Sequence, residues 1–113
     1  MNVFTRIREG IVVIDLEGKI NIGKGDIALR DAFDSAVEQG ARKILFNFEK
    51  VRSMDSSGMA ELGAAYRKMV DLGEGTVSLT NLPSNVGEIL RMTQIITVFD
   101  FYENEDEAIE AMR

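Results

Sequence analysis

The 113-residue chain contains neither cysteine nor histidine. Without cysteine it cannot form a disulfide framework or a thiolate zinc site. Without histidine it cannot build a serine–histidine or cysteine–histidine catalytic pair. We therefore expect no catalytic residue, no metal site and no cofactor, and we expect that the protein is not an enzyme.

Positive charge and long apolar runs are also scarce. The chain has 13 basic and 19 acidic residues, a net charge of −6, so it lacks the broad basic face that binds nucleic acid directly. The longest aliphatic run, residues 11–14, is far too short to span a membrane, and the N-terminus lacks the apolar core of a signal peptide. We expect a cytoplasmic protein without a membrane partner. The acids concentrated in residues 100–113 form either a solvated end or a binding tail.

Length and composition favour one globular unit. A chain of 113 residues can bury one hydrophobic core but not two. Its hydrophobic fraction of 45% and charged fraction of 28% are typical of folded domains. We predict a single domain over residues 1–113.

Hydrophobic periodicity predicts the element order β-β-β-α-β-α-β-α-β-α. The first two strands are joined by Glu9-Gly10, a turn signal that predicts an antiparallel hairpin. Later strands alternate with helices, which indicates a largely parallel sheet. The expected fold is α/β: a small mixed sheet that begins with this hairpin and is covered by about four helices. The predicted strands are residues 2–8, 11–16, 19–21, 43–48, 76–82 and 97–101; the helices start near Asp26, the Ser56-Ser57 pair, Pro83 and Asn104.

Residues 51–62, V-R-S-M-D-S-S-G-M-A-E-L, connect the central strand to the longest helix. In α/β sheets, functional groups gather beyond the carboxyl ends of the strands, where this turn lies. Ser56 and Ser57 are both residue types that cap helix starts, and we expect Ser57 to be the cap. Free backbone N–H groups at a helix start also attract negative charge.

The run Met54-Asp55-Ser56-Ser57-Gly58-Met59 resembles the D-S-[ST]-G-[LM] signature of anti-sigma factor antagonists, the bacterial members of the STAS domain family. The resemblance covers nearly the whole chain, through residues 18–21, 29–33, 44–48, 73–77 and 95–101. It implies a small sheet covered by helices. It also implies that the first hydroxyl residue after the aspartate, here Ser56, is phosphorylated by an anti-sigma factor that is also a serine kinase.

The resemblance further implies a partner-switching cycle. The unphosphorylated protein would bind the anti-sigma factor and release a sigma factor. Phosphorylation of Ser56 would end that binding, and a serine phosphatase would reset it. We expect a monomer or a weak dimer. The residues expected to contact the partner are Asn21, Lys24, Met54, Asp55, Ser56, Ser57, Gly58 and Met59.

The chain departs from the family pattern in one place. Gly18-Lys19-Ile20-Asn21 stands where the family usually has G-E-[IL]-D, so Asn21 replaces an aspartate that lies near the phosphorylated serine. Asparagine keeps hydrogen-bonding capacity but loses the charge. Lys19 and Lys24 make this loop more positive, which either helps to hold a phosphate or repels the usual kinase surface.

Several roles stay open at this stage. Gly58 either admits a partner or permits close packing inside the protein, and Met54 and Met59 form either a contact patch or part of the core. The lysine between Gly23 and Gly25 suggests a nucleotide loop, although the run matches no established phosphate-binding motif. Two other functions remain: a small enzyme using Asp55 and Ser56, and a non-switching STAS module of a stress-sensing or lipid-transport assembly.

Overall fold

The computed structural model describes residues 1–94 and 97–113. Within them the chain forms a five-stranded sheet of order β1-β2-β3-β4-β5 and four helices. The predicted α/β fold with an N-terminal hairpin and four helices is confirmed. The elements are β1 Asn2–Arg8, β2 Ile11–Ile20, α1 Gly25–Glu38, β3 Lys43–Met54, α2 Ser56–Asp71, β4 Thr76–Thr80, α3 Ser84–Met92, β5 Asp100–Tyr102 and α4 Glu105–Met112.

The hairpin of β1 and β2 is closed by a two-residue turn, Glu9-Gly10. Glu9 and Gly10 have φ values of 52° and 80°, the left-handed pair that a type I′ turn requires. The turn places Arg8 opposite Ile11 and makes β1 antiparallel to β2. All later strands are parallel to their neighbours, because a helix separates each from the next.

The predicted third strand at residues 19–21 is wrong as a separate element. β2 runs on to Ile20 through a register shift beside Gly18, whose φ of 104° suits a bulge. β3 is correspondingly longer than predicted and ends at Met54, because the end of β2 supplies its partner: Gly18 lies opposite Val51, and Ile20 opposite Met54. This extension brings the ends of β2 and β3 side by side.

The far edge of the sheet is shorter than predicted. β4 ends at Thr80 instead of residue 82, because Asn81 has a φ of 56° and leaves the extended conformation. β5 covers Asp100–Tyr102 instead of residues 97–101, and Thr97 lies in a turn. Ile95 and Ile96, which the family resemblance placed in the last strand, lie outside the described residues.

Alternate residues of the strands point to opposite faces of the sheet, and each face carries its own helices. The larger core cluster lies beneath α1, α2 and α3 and includes Ile14, Phe46 and Leu79 from the strands. The smaller cluster lies beneath α4 and includes Ile11, Val13 and Leu45. Because α2 follows β3 directly, its first turn lies at the carboxyl edge of the sheet.

Candidate functional site

Asp55 caps the start of α2 through its side chain. Its backbone is extended, and its Oδ1 accepts hydrogen bonds from the N–H groups of Ser57 at 3.0 Å and Gly58 at 3.1 Å. These donors belong to the first turn of the helix, where backbone N–H groups have no partner within the helix. Asp55 is therefore the N-cap residue, a role that the sequence suggested for a serine.

The expectation that Ser57 caps the helix is wrong. Ser57 is the second residue of α2, and its hydroxyl donates a 2.6 Å hydrogen bond to Asp55 Oδ1. Ser56 is the first helical residue, and its side chain is exposed. Its hydroxyl takes part in none of the side-chain hydrogen bonds formed within residues 1–94 and 97–113. The two serines thus differ: Ser57 is half-buried and bonded to the cap, and Ser56 is exposed.

Asp55 also joins the helix start to the loop of residues 21–24 that follows β2. Its Oδ2 accepts the backbone N–H of Ile22 at 3.0 Å, and its own N–H donates to Ile20 O at 3.2 Å. Four donors therefore surround the carboxylate, and the hydrogen bond from the Ser57 hydroxyl, followed by that from Ile22, lowers the pKa of Asp55 below its ordinary value. A carboxylate so occupied is a weak proton acceptor, which makes Asp55 a poor general base for Ser56.

Two glycines allow the segments of the site to approach closely. A Cβ atom on Gly58 would lie 2.7 Å from both Ile20 Cγ2 and Met54 Cγ, and 3.0 Å from Ile20 O. A Cβ on Gly25 would collide with the carbonyl oxygen of Lys19. At each glycine a Cβ atom would lie closer to a neighbouring atom than real Cβ atoms do, so the absent side chain at Gly58 is explained by packing inside the protein.

The structure separates the predicted contact residues into an exposed set and a buried set. Met54, Gly58 and Met59 are buried, and both methionines belong to the larger core cluster, where they support the turn from below. Asp55 and Ser57 are half-buried. The exposed residues of the set are Asn21, Lys24 and Ser56.

Ile22 belongs with the exposed set, although the sequence analysis did not single it out. Its side chain is 77% exposed, while its backbone is bonded to Asp55. The sequence did hold a signal for Ile22: it is an isolated apolar residue between Asn21 and Gly23. An apolar residue in a polar loop has no neighbouring apolar residues of that loop to pack against. The structure places it on the loop that Asp55 holds beside the Ser56 helix start.

Two further findings concern the described part of the chain. No helix within it is both long and apolar enough to cross a membrane. The acidic side chains of the same residues form no cluster of three or more that could hold a metal ion.

These features define a small α/β domain with an exposed serine at a helix start, on the carboxyl edge of a mixed sheet. The chain belongs to the STAS domain family, whose family model matches residues 2–108.

Solved structures share the fold over nearly the whole chain. An anti-sigma factor antagonist from Mycobacterium paratuberculosis is 20% identical, with a TM-score of 0.89 over 99% of this chain and 93% of that one. The phosphorylated Bacillus cell fate determinant SpoIIAA is 24% identical, with a TM-score of 0.75 over 99% of this chain and 100% of that one. A sulfate transporter family protein from Wolinella succinogenes is 15% identical, with a TM-score of 0.80 over 95% and 88%.

Proposed function

We propose that the protein is an anti-sigma factor antagonist that is switched by phosphorylation of Ser56. The observation that carries the proposal is that Asp55 caps α2 while Ser56 is exposed beside it. Because the aspartate caps α2, the exposed serine has no structural duty there and can be modified without loss of the cap. The family membership and the likeness to SpoIIAA support the same role.

A phosphate on Ser56 would have a mild effect on the fold. It would add about −1.5 to −2 charges at the first residue of α2, where the helix dipole favours negative charge. The Asp55 carboxylate accepts from four donors, none of them the Ser56 hydroxyl, so the cap does not depend on the group that the phosphate would modify. We expect the phosphorylated protein to remain folded.

The same phosphate would strongly weaken the binding of a partner. A partner packed over Asn21, Ile22 and Ser56 would bury the phosphate dianion with few hydrogen-bond donors around it. Burying a charge without such donors is costly in free energy. Ile22 supplies the apolar contact of this surface, and Lys24 supplies its positive charge. The unphosphorylated form would therefore bind an anti-sigma factor with serine kinase activity and release the sigma factor. A serine phosphatase would restore binding.

The test compares Ser56→Ala with Ser56→Asp in affinity for the purified anti-sigma partner. Both variants should melt close to wild type, because the Asp55 cap is intact in each. The alanine form should bind persistently, and the aspartate form at least about tenfold more weakly. Ser84→Asp is the matched control, since Ser84 is the exposed first residue of α3. Equal affinity of both Ser56 variants would remove Ser56 from the interface.

A second candidate is a STAS module that binds its partner without being switched. Asn21 favours it, because the exposed loop beside Ser56 carries an amide where the antagonists it resembles carry a carboxylate. Incubation with the kinase partner, ATP and Mg²⁺ separates the two candidates. Stable binding without phosphate transfer supports the module, and transfer to Ser56 supports the switch.

A further inference from the structure

β1 is an edge strand whose outer side has no strand partner among the described residues. It is seven residues long, its register with β2 is continuous, and the only proline of the chain is Pro83. Phe4 and Ile7 are 55% and 76% exposed on it. Natural edge strands are usually shortened, kinked, charged or interrupted by proline, because free backbone groups template pairing with another chain. β1 is neither shortened nor interrupted, and its two charged residues, Arg6 and Arg8, are paired with acidic residues of their own chain.

The hairpin turn determines which backbone groups of β1 are free. The type I′ turn makes Arg8 and Ile11 a hydrogen-bonded pair, and such pairs alternate along an antiparallel ladder. The N–H and C=O groups of Val3, Thr5 and Ile7 therefore point away from β2, toward the open edge.

We propose that two copies of the chain associate by antiparallel pairing of their β1 strands about a two-fold axis at Thr5. Thr5 then lies opposite Thr5 of the second copy, and Val3 opposite Ile7. This register uses all the outward-pointing residues and forms about six backbone hydrogen bonds. A shift by two residues in one direction puts Arg6 opposite itself, and in the other direction puts Phe4 opposite itself; both shifts lose hydrogen bonds.

The side chains of β1 are self-complementary in this register. On the face that carries α4, Phe4 lies opposite Arg6 of the second copy, an aromatic ring against a guanidinium. Arg6 donates from the edge of its guanidinium to Asp15 and Glu105, which neutralise it and leave its flat face for the ring. The arginines of the two copies therefore do not repel each other strongly.

The opposite face of β1 is also accessible. A groove of about 630 Å³ lies between β1 and α1, lined in part by Thr5, Ile7, Val12, Ser35 and Gln39. Because α1 does not cover the outer side of β1 there, the Val3 and Ile7 side chains of a second copy meet open space. This surface belongs to the N-terminal hairpin, whereas Ser56 follows β3, so the association does not depend on the proposed switch.

The two-fold axis provides a sharp test, because any charge placed at Thr5 faces itself. In analytical ultracentrifugation the wild type should approach twice the 12.6 kDa chain mass as its concentration rises. Thr5→Lys and Thr5→Glu should each sediment as monomers and melt like the wild type at concentrations where it is monomeric, and an equimolar mixture should dimerise again. Phe101→Lys, on the opposite edge strand, is the control and should behave as wild type. A monomeric wild type, or a mixture no heavier than its components, would overturn the proposal.

The register is tested by a single introduced cysteine, which the natural chain lacks. Opposite residues of a hydrogen-bonded antiparallel pair have Cα atoms about 5.5 Å apart, within the range of a disulfide. Thr5→Cys should therefore oxidise to a covalent dimer. Ile7→Cys should oxidise far less, because it lies several residues along the strand from its own copy. Faster cross-linking through residue 7 would contradict the two-fold at Thr5.

Discussion

Asp55 accepts a 3.0 Å hydrogen bond from the Ile22 backbone N–H and so joins the loop after β2 to the first turn of α2. One side chain therefore positions both halves of the candidate partner surface. The same carboxylate bonds two N–H groups of the helix and the Ser57 hydroxyl. Changes at Asp55 should alter stability and partner binding together.

Asp55→Ala should lower the free energy of unfolding by about 0.5–2 kcal/mol, the usual cost of losing an N-cap side chain. The bond to Ile22 is lost as well, so we expect a value toward the upper end. Ser57→Ala is the control: it removes one hydroxyl bond and leaves the carboxylate with its three backbone donors, and should cost about 1 kcal/mol or less. Urea titration measures both. Equal losses would show that the cap contributes nothing beyond the Ser57 contact.

Acid should remove the stabilising contribution of Asp55 over a defined range of pH. Because hydrogen bonds lower the pKa of Asp55 in the folded protein, its stabilising contribution is complete above the ordinary value near 3.8 and is lost as the pH falls through the folded-state pKa. The difference in unfolding free energy between wild type and Asp55→Asn should therefore shrink below about pH 4.

Glu105→Gln is the comparison for the acid experiment. Hydrogen bonds from Arg6 lower the pKa of Glu105 from its ordinary value of 4.5, so its contribution is likewise lost as the pH falls, but starting at a higher pH. Urea unfolding at a series of pH values separates the two carboxylates. A constant difference between wild type and Asp55→Asn down to pH 2 would contradict the lowered pKa.

Two glycines of α2 should respond to alanine with opposite signs. Gly58→Ala forces a Cβ against Ile20 and Met54 and should destabilise the protein by about 1–3 kcal/mol, the cost of overpacking. Gly63→Ala meets no atom within 4 Å and should stabilise it by about 0.4–1 kcal/mol through the lower entropy of the unfolded chain. Thermal melts decide, and a stabilising Gly58→Ala would show that the helix start has room.

Phosphate transferred by the kinase partner should appear on Ser56. The hydroxyl of Ser57 is half-buried and donates to Asp55 at 2.6 Å, so its modification would break the cap, whereas Ser56 is exposed. Intact-mass and fragment analysis after kinase treatment locates the phosphate. Label on Ser57 alone would contradict the assignment.

Asn21→Asp should speed phosphorylation if the missing carboxylate limits the kinase encounter. Asn21 is exposed, and its backbone oxygen accepts a 3.1 Å hydrogen bond from Asp26 N, which the substitution keeps. Stability should change by less than about 0.5 kcal/mol. Asn21→Ala removes the amide without adding charge and should not speed the reaction. Equal rates for all three proteins would show that charge at this position is irrelevant.

Local patterns in the sequence were sufficient for most of the architecture. Glu9-Gly10 predicted the hairpin, and Asn104 was correctly identified as the start of α4, where its Oδ1 accepts from Glu107 N at 2.9 Å. These features depend on residues a few positions apart. The extension of β3 to Met54 was missed because its partner, the end of β2 beyond the Gly18 bulge, lies more than 30 positions earlier in the chain.

The sequence by itself determined the alternation of strands and helices and the position of the serine pair between β3 and α2, because periodicity and turn chemistry are local. Only the tertiary structure decided which residue caps α2 and which of the two serines is exposed. Asp55 became the cap and Ser56 the exposed hydroxyl because the loop at Ile22, 33 residues earlier, donates to the carboxylate and holds it over the helix start. The packing of Gly58 against Ile20 and Met54 then brings that loop and the helix start into contact.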